Sequence, residues 1–408
     1  MTEGKKTLLL KGNVQHYDWG GTEFIPSLLG IVNTVKKPFA EYWMGAHEKS
    51  PSMVQLNGNG FQPLHIFIKQ NPVSILGNYV AEKFHKLPYL LKILDVKDML
   101  SIQVHPAKES AEKEFERENK EGIPLDAPNR NYKDNNHKPE LIVALNDFWL
   151  LHGFKTHEKL NRLLEKIKEF RSLSELFNKS GLTVLYESVM NMPQQEVNSI
   201  LDPLLKRIIP LYSRGELQKD QEDFWAARAA LNFKLSGKTD RGIFSIYFLN
   251  LIKIKKGEGV FQSTGLPHAY LEGQNVEIMA NSDNVLRGGL TSKHIDVKEL
   301  IKQIRFEETR PVIIRPLKVG NEEIYKTPAT DFQLSYFYMT SSETITLTTR
   351  SAEIIFVLKG NAGIQSPGSF MELEKGQSAV IFADQTISIK SESGAEIYKA
   401  SVPVPPPG

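Results

Sequence analysis

Cysteine is absent from all 408 residues, which removes disulfides, thiolate metal sites and a cysteine nucleophile together. Any metal must be held by His, Asp, Glu or Gln. No stretch approaches the ~18 consecutive apolar residues of a membrane span, and the run Leu8, Leu9, Leu10 is far too short for a signal peptide. A cytoplasmic location is expected. Charge of one sign is also missing: 50 Lys and Arg against 48 Asp and Glu leave a formal charge of +2, so no global field recruits nucleic acid or an anionic membrane. An anionic ligand must therefore meet a local cluster, and no Gly-rich phosphate loop is present to supply one. What remains, 40 % hydrophobic and 24 % charged residues, suits a soluble globular chain with a sizeable core. Single cores stop growing by about 250–300 residues, so two or three domains are expected.

The first 150 or so residues alternate β-rich runs with Gly, Pro and Asn, at 64–68, 89–94, 101–105 and 141–148. Beyond Thr156, Leu160, Leu163, Leu164 and Ile167 form one apolar helical stripe. Ser172 and Glu175 read as a capping box, Pro193 as the opening of another helix, and 224–231 as a further one. After Arg241 the run 244–254 reads as a buried strand pair. Two stretches are alike: Lys255-Lys256-Gly257-Glu258-Gly259-Val260-Phe261-Gln262 and Glu374-Lys375-Gly376-Gln377-Ser378-Ala379-Val380-Ile381. That repeat suggests two related β-domains, of which the first continues into Gly265-Leu266-Pro267-His268 and carries any chemistry. The expected division is 1–154 and 241–318 for a catalytic β-domain, 155–240 for a helical insertion, and 319–408 for a second, degenerate β-domain with a Pro-rich tail from Val402 extended over the surface.

Gln103-Val104-His105 places two donors at i and i+2, on one face of a strand. Asn136-His137-Lys138-Pro139-Glu140 and Pro267-His268-Ala269-Tyr270 each add a polar group at a strand boundary. Gln103, His105, Glu140 and His268 would make an N/O set suited to one zinc ion with a position left for water or substrate. Singly, each has a plainer role as a turn or strand-end polar residue, and His137 is either a ligand or a partner behind one.

At these residues the sequence resembles the type I mannose-6-phosphate isomerases. The matching elements are Gln15-His16-Tyr17-Asp18-Trp19-Gly20, Ala40-Glu41-Tyr42-Trp43-Met44-Gly45-Ala46-His47, Leu100-Ser101-Ile102-Gln103-Val104-His105-Pro106, and the stretches 136–140 and 276–293. They occur in family order from residue 15 to about 300; the helical insertion and last third match in arrangement more than in motif. Ile278 stands where the family often has cysteine, and Asp18 where it often has a small residue. The resemblance implies a mainly β fold of cupin-like jelly rolls with an inserted α-helical domain. It also implies zinc on Gln103, His105, Glu140 and His268, and Arg287 in the active site.

Such an enzyme interconverts mannose 6-phosphate and fructose 6-phosphate, moving a proton between adjacent carbons through an enediol. It needs a base, stabilisation of negative oxygen and a grip on phosphate. Glu277 and His47 are the two candidates for the base. Arg287 suits a developing enediolate, and Lys138 proton transfer between oxygens. Ser101, Lys92 and Lys293 are expected at the phosphate. Trp19 and Glu41 are expected at the sugar, and Trp43 in the core. A small phosphosugar is the only partner expected, with no nucleic acid, membrane or obligate protein. Two other readings stand beside this one: a non-catalytic sugar-phosphate-binding cupin, and an Fe(II)-dependent cupin oxygenase.

Overall fold

A computed structural model describes residues 5–56, 60–233 and 237–405. Its organising element is the strand His268–Ala280. A bulge between Tyr270 and Glu272 and the positive φ of Gly273, where a Cβ would lie 2.7 Å from Asp147 O, bend this strand midway. Before the bend it pairs with Gln103–Val104 and Phe148–Phe154; beyond it, with Tyr89–Val96 and Glu140–Ala144. One strand thus gathers residues from both walls of a roll. Tyr89–Val96, buried along its whole length, pairs in turn with Glu41–Gly45. Lys92 consequently lies directly opposite Trp43 on one side and Glu277 on the other.

The second sheet is built from the C-terminal strands Glu353–Ser366, Ala395–Ser401 and Gln333–Met339, but it does not stop at residue 319. Strand Thr7–Lys11 pairs with Ser378–Ile381, and Met53–Gln55 with Thr7–Lys11. The N-terminal residues therefore complete the C-terminal sheet. Between the two sheets lies one apolar core holding Leu10, Leu91, Ile93, Val276, Ile278, Ile354, Phe356 and Tyr398. Strong burial of this shared core ties the sheets into one unit. The two similar sequence stretches adopt the same turn. Gly257 and Gly376 have φ of 82° and 84°. The N–H of Lys255 donates to the Glu258 side chain, and that of Glu374 to Gln377.

In the helical region, His157–Lys166 is capped by Thr156, whose hydroxyl accepts from Lys159 N at 3.4 Å. This helix and helices Arg171–Asn191, Gln194–Ser213 and Glu222–Asn232 bury Leu160, Phe177, Leu201 and Trp225 against Leu151, Phe154 and Leu271 of the sheet. Met99, Ile102, Val104 and Leu290 join the same core, so it underlies the loops of the site.

Several local expectations yield. Residues 64–68 lie in the helix Leu64–Gln70, because Leu64, Phe67 and Ile68 share one helical face. The run 244–254 is a helix, Gly242–Phe248, followed by a single strand, Leu249–Ile254. A continuous apolar stretch buried on every side carries no period to distinguish the two. The Ser172–Glu175 box is not formed; the helix starts at Arg171 behind a 3-10 turn, with no side-chain cap. Within 101–105 only Gln103–Val104 is paired. The tail is packed at Val402, which is buried in the shared core, and 406–408 lie outside the described residues.

Candidate metal centre and active site

His268 opens the bent strand, Gln103 faces it across the ladder, and Glu140 begins the strand bonded to its far half. These placements bring His105, Glu140 and His268 together, with donor atoms within 4.8 Å of one another and all three residues buried. Each imidazole is fixed by a main-chain carbonyl. His105 Nδ1 lies 2.8 Å from Asn284 O and His268 Nδ1 2.9 Å from Leu266 O. A carbonyl only accepts, so both Nδ1 atoms carry the proton and both Nε2 atoms present lone pairs. Those lone pairs face Glu140, with His105 Nε2 3.2 Å from Oε1 and His268 Nε2 3.5 Å from Oε2. His105 Nε2 is buried without a hydrogen-bond partner. Unprotonated nitrogens turned on a carboxylate require a cation between them, and the N/O donors suit zinc.

Electrostatics agree with this protonation. Burial, with Lys138 nearby, lowers His105 to about 4, so the ring is neutral at pH 7. Burial opposes ionisation of Glu140, but Lys138 and the imidazoles outweigh it and hold the carboxyl well below the usual range. Lys138 Nζ lies 3.1 Å from Glu140 Oε1.

Gln103, opposite His268, and Lys138, beside Glu140, line a cavity of about 870 Å³ whose wall also carries Trp19, Glu41, Trp43, His47, Lys92, Ser101, Arg287 and Lys293. Trp43 is 9 % exposed and forms part of this wall rather than the core alone, because its indole N–H must reach Glu41 Oε2, 2.6 Å away. Lys92 Nζ sits 2.9 Å from Glu277 Oε1, 3.2 Å from Glu41 Oε2 and 5.1 Å from the centre of the Trp43 ring. Burial would discharge it, but the two carboxylates prevail and raise its pKa above the ordinary lysine value. Glu277 is itself raised, by burial first, against the pull of Lys92. Tyr270 links this group to the triad, its hydroxyl lying 2.9 Å from Glu140 Oε2 and 3.0 Å from Glu277 Oε2.

Two expected actors already have partners. Lys92, expected at the phosphate, does not stand free: its ammonium is paired with carboxylates that connect through Tyr270 to the triad. Nor does His47 offer a free nitrogen to act as base. Its Nδ1 accepts the Lys49 N–H at 3.3 Å, leaving Nε2–H to donate to Asp283 Oδ1 at 3.1 Å. Arg287 pairs across the ladder with Gln103, one strand from His268. Among the described residues neither Arg287 nor Lys293 has a carboxylate partner, and burial lowers the pKa of both. His137 turns to the C-terminal sheet, its Nε2 3.0 Å from Asp331 Oδ2. Residues without an assigned role in the sequence reading now acquire one. Tyr270 stands two positions from His268 on the same strand face, which was the available signal, whereas the Asn284 carbonyl that orients His105 left none.

The catalytic-domain model of type I phosphomannose isomerase matches residues 8–157. Mannose-6-phosphate isomerase of Escherichia coli strain K12 is 37 % identical over 95 % of this chain and 98 % of its own length. This chain belongs to the type I phosphomannose isomerase family. The rat protein of the same name is 33 % identical over 92 % of this chain and 93 % of its own. The crystal structure of the Salmonella typhimurium mannose 6-phosphate isomerase bound to fructose 6-phosphate and zinc matches with a TM-score of 0.87 and 34 % identity. It spans 98 % of this chain and all of that one. No described helix is long and apolar enough to cross a membrane.

Proposed function

We propose that this protein interconverts mannose 6-phosphate and fructose 6-phosphate using one zinc ion held by Gln103, His105, Glu140 and His268. The observation that carries the reading is the triad of buried donors, with its imidazole lone pairs turned on Glu140. Its neighbours Gln103 and Lys138 line a cavity that also presents Arg287 and Lys293, neither with a carboxylate partner among the described residues. Bound zinc would supply Lewis acidity to the sugar oxygens around C1 and C2.

The chain's own groups divide the remaining work. The Lys92–Glu277 pair serves as the proton carrier: Glu277 takes a proton from the Lys92 ammonium 2.9 Å away, and the resulting amine at the cavity wall accepts the substrate's proton and returns it. A carboxylate raised by burial can take a proton and return it. Lys138, beside Glu140, moves the proton between the two sugar oxygens. Arg287 presents its fork of donors to the enediolate. Lys293 and Ser101 meet the phosphate, and Trp19 with Trp43 encloses the sugar. Glu41 holds Lys92 and the Trp43 indole in place, and His47 braces the rim through Asp283.

A coupled assay of mannose 6-phosphate to fructose 6-phosphate tests the proposal. Activity should disappear on chelation and return with zinc. A folded, zinc-loaded sample without turnover would leave a binding protein; oxygen consumption by an iron-loaded sample would favour an oxygenase.

A further inference from the structure

The loop after Arg287 is held by a residue of another part of the chain. Asp240 Oδ1 accepts from Leu290 N at 2.9 Å and from Gly242 N at 2.7 Å, while Oδ2 accepts from Thr291 N at 3.2 Å. The held loop is not in a relaxed conformation. Leu290 has φ of 54°, in the left-handed region that non-glycine residues rarely adopt. Gly289, with φ of 121°, packs so closely on Gly242 that a Cβ would come within 2.3 Å of the Gly242 Cα. From the opposite side, Ile102 and the loop exchange two main-chain bonds, Gly288 N to Ile102 O at 2.9 Å and Ile102 N to Gly289 O at 3.1 Å.

Asp240 is itself anchored to the helical region. The neighbouring Thr239 donates its N–H to Asn198 Oδ1 at 3.2 Å and its hydroxyl to Asp202 Oδ1 at 2.6 Å, both on the helix Gln194–Ser213. Leu290, Thr291 and Lys293 line the cavity. A carboxylate close to an anion site would ordinarily repel the ligand. Here both oxygens are engaged by N–H groups of the loop and of Gly242, so the charge is spent on shaping the loop.

We infer that Asp240 is a positioning residue for the phosphate end of the substrate, presetting the turn after Arg287 so that Lys293 faces the phosphate of a sugar phosphate. This rests on the isomerase reading for the identity of the ligand. Its effect falls on binding more than on proton transfer, because Asp240 contacts no part of the triad or of the Lys92–Glu277 pair.

The test uses the full-length, zinc-loaded protein with Asp240→Asn, which keeps the shape but turns an NH2 on an N–H, and Gly242→Ala, whose Cβ would sit 2.6 Å from Leu290 N. KM for mannose 6-phosphate should rise about tenfold in each, with kcat falling much less. The dissociation constant of inorganic phosphate, measured by calorimetry, should rise by the same factor while zinc content stays constant. Unchanged KM and unchanged phosphate binding in both variants would overturn the inference, as would a fall confined to kcat. If one variant fails to fold, the other decides. Parent protein that binds phosphate but does not isomerise would sink the isomerase reading alone, and weaker phosphate binding in the variants would still uphold the role of Asp240.

Discussion

Tyr270→Phe removes one oxygen from the centre of the site and leaves nearly everything else in place. The ring packs edge-on against Phe148, with centroids 5.6 Å apart, and Phe keeps that contact. What disappears is the hydroxyl 2.9 Å from Glu140 Oε2 and 3.0 Å from Glu277 Oε2, both on carboxylates at most 3 % exposed. A hydrogen bond to a charged group is worth about 1.5–3 kcal/mol. The change should therefore weaken zinc binding by about 10–100-fold, the usual effect of losing a partner behind a metal ligand. Competition with a chromophoric chelator measures the affinity, and denaturant unfolding of the zinc-free variant controls for general damage. The single O–H proton is shared between Glu140 and Glu277, so the same change should also lower kcat by breaking the link between the two carboxylates. Zinc affinity within about twofold of the parent, with unfolding also unchanged, would refute the bridging role.

His268→Ala should abolish both stoichiometric zinc binding and turnover while preserving the circular dichroism spectrum; full activity without it would remove the metal assignment. Lys92→Met leaves the carboxylates of Glu41 and Glu277 buried without their cation, so stability should fall by about 3–5 kcal/mol in denaturant titrations, together with loss of turnover. A neutral effect on stability would show that those carboxylates take up protons instead. Stability should also depend on His152, whose buried ring is lowered to about 4. The unfolded chain binds a proton there at about pH 6.5 that the folded chain does not, so the contribution is present above that pH and is lost as pH falls toward 4. The loss should be about 2 kcal/mol by pH 5. His152→Gln in the zinc-free protein should remove that part of the slope, and an unchanged slope would assign the acid sensitivity elsewhere.

Short-range chemistry carried much of this protein in its sequence. The stripe Leu160, Leu163, Leu164, Ile167 specified a helix because its period is intrinsic to that structure. The two Gly-centred stretches specified matching turns because only those φ values reverse the chain there. The Gln-x-His spacing, the polar residues opening 136–140 and His268 specified the donor chemistry by residue type. Tertiary structure decided the rest. That residues 244–248 are helical could not be read locally, because burial on every side erases the period that would have revealed it. Thr7–Lys11 joins a sheet made mostly of residues beyond 319, a pairing across some 370 positions that no local signal records. The protonation of His105 depends on the carbonyl of Asn284, an atom every residue possesses, so its side chain gives no hint of it. The role of Lys92 turns on the partners that sheet register sets beside it, and that of His47 on the loops that bring Asp283 and Lys49 N to its ring. A side chain's chemistry is local, but whether it is free to act depends on what the fold has already bonded to it.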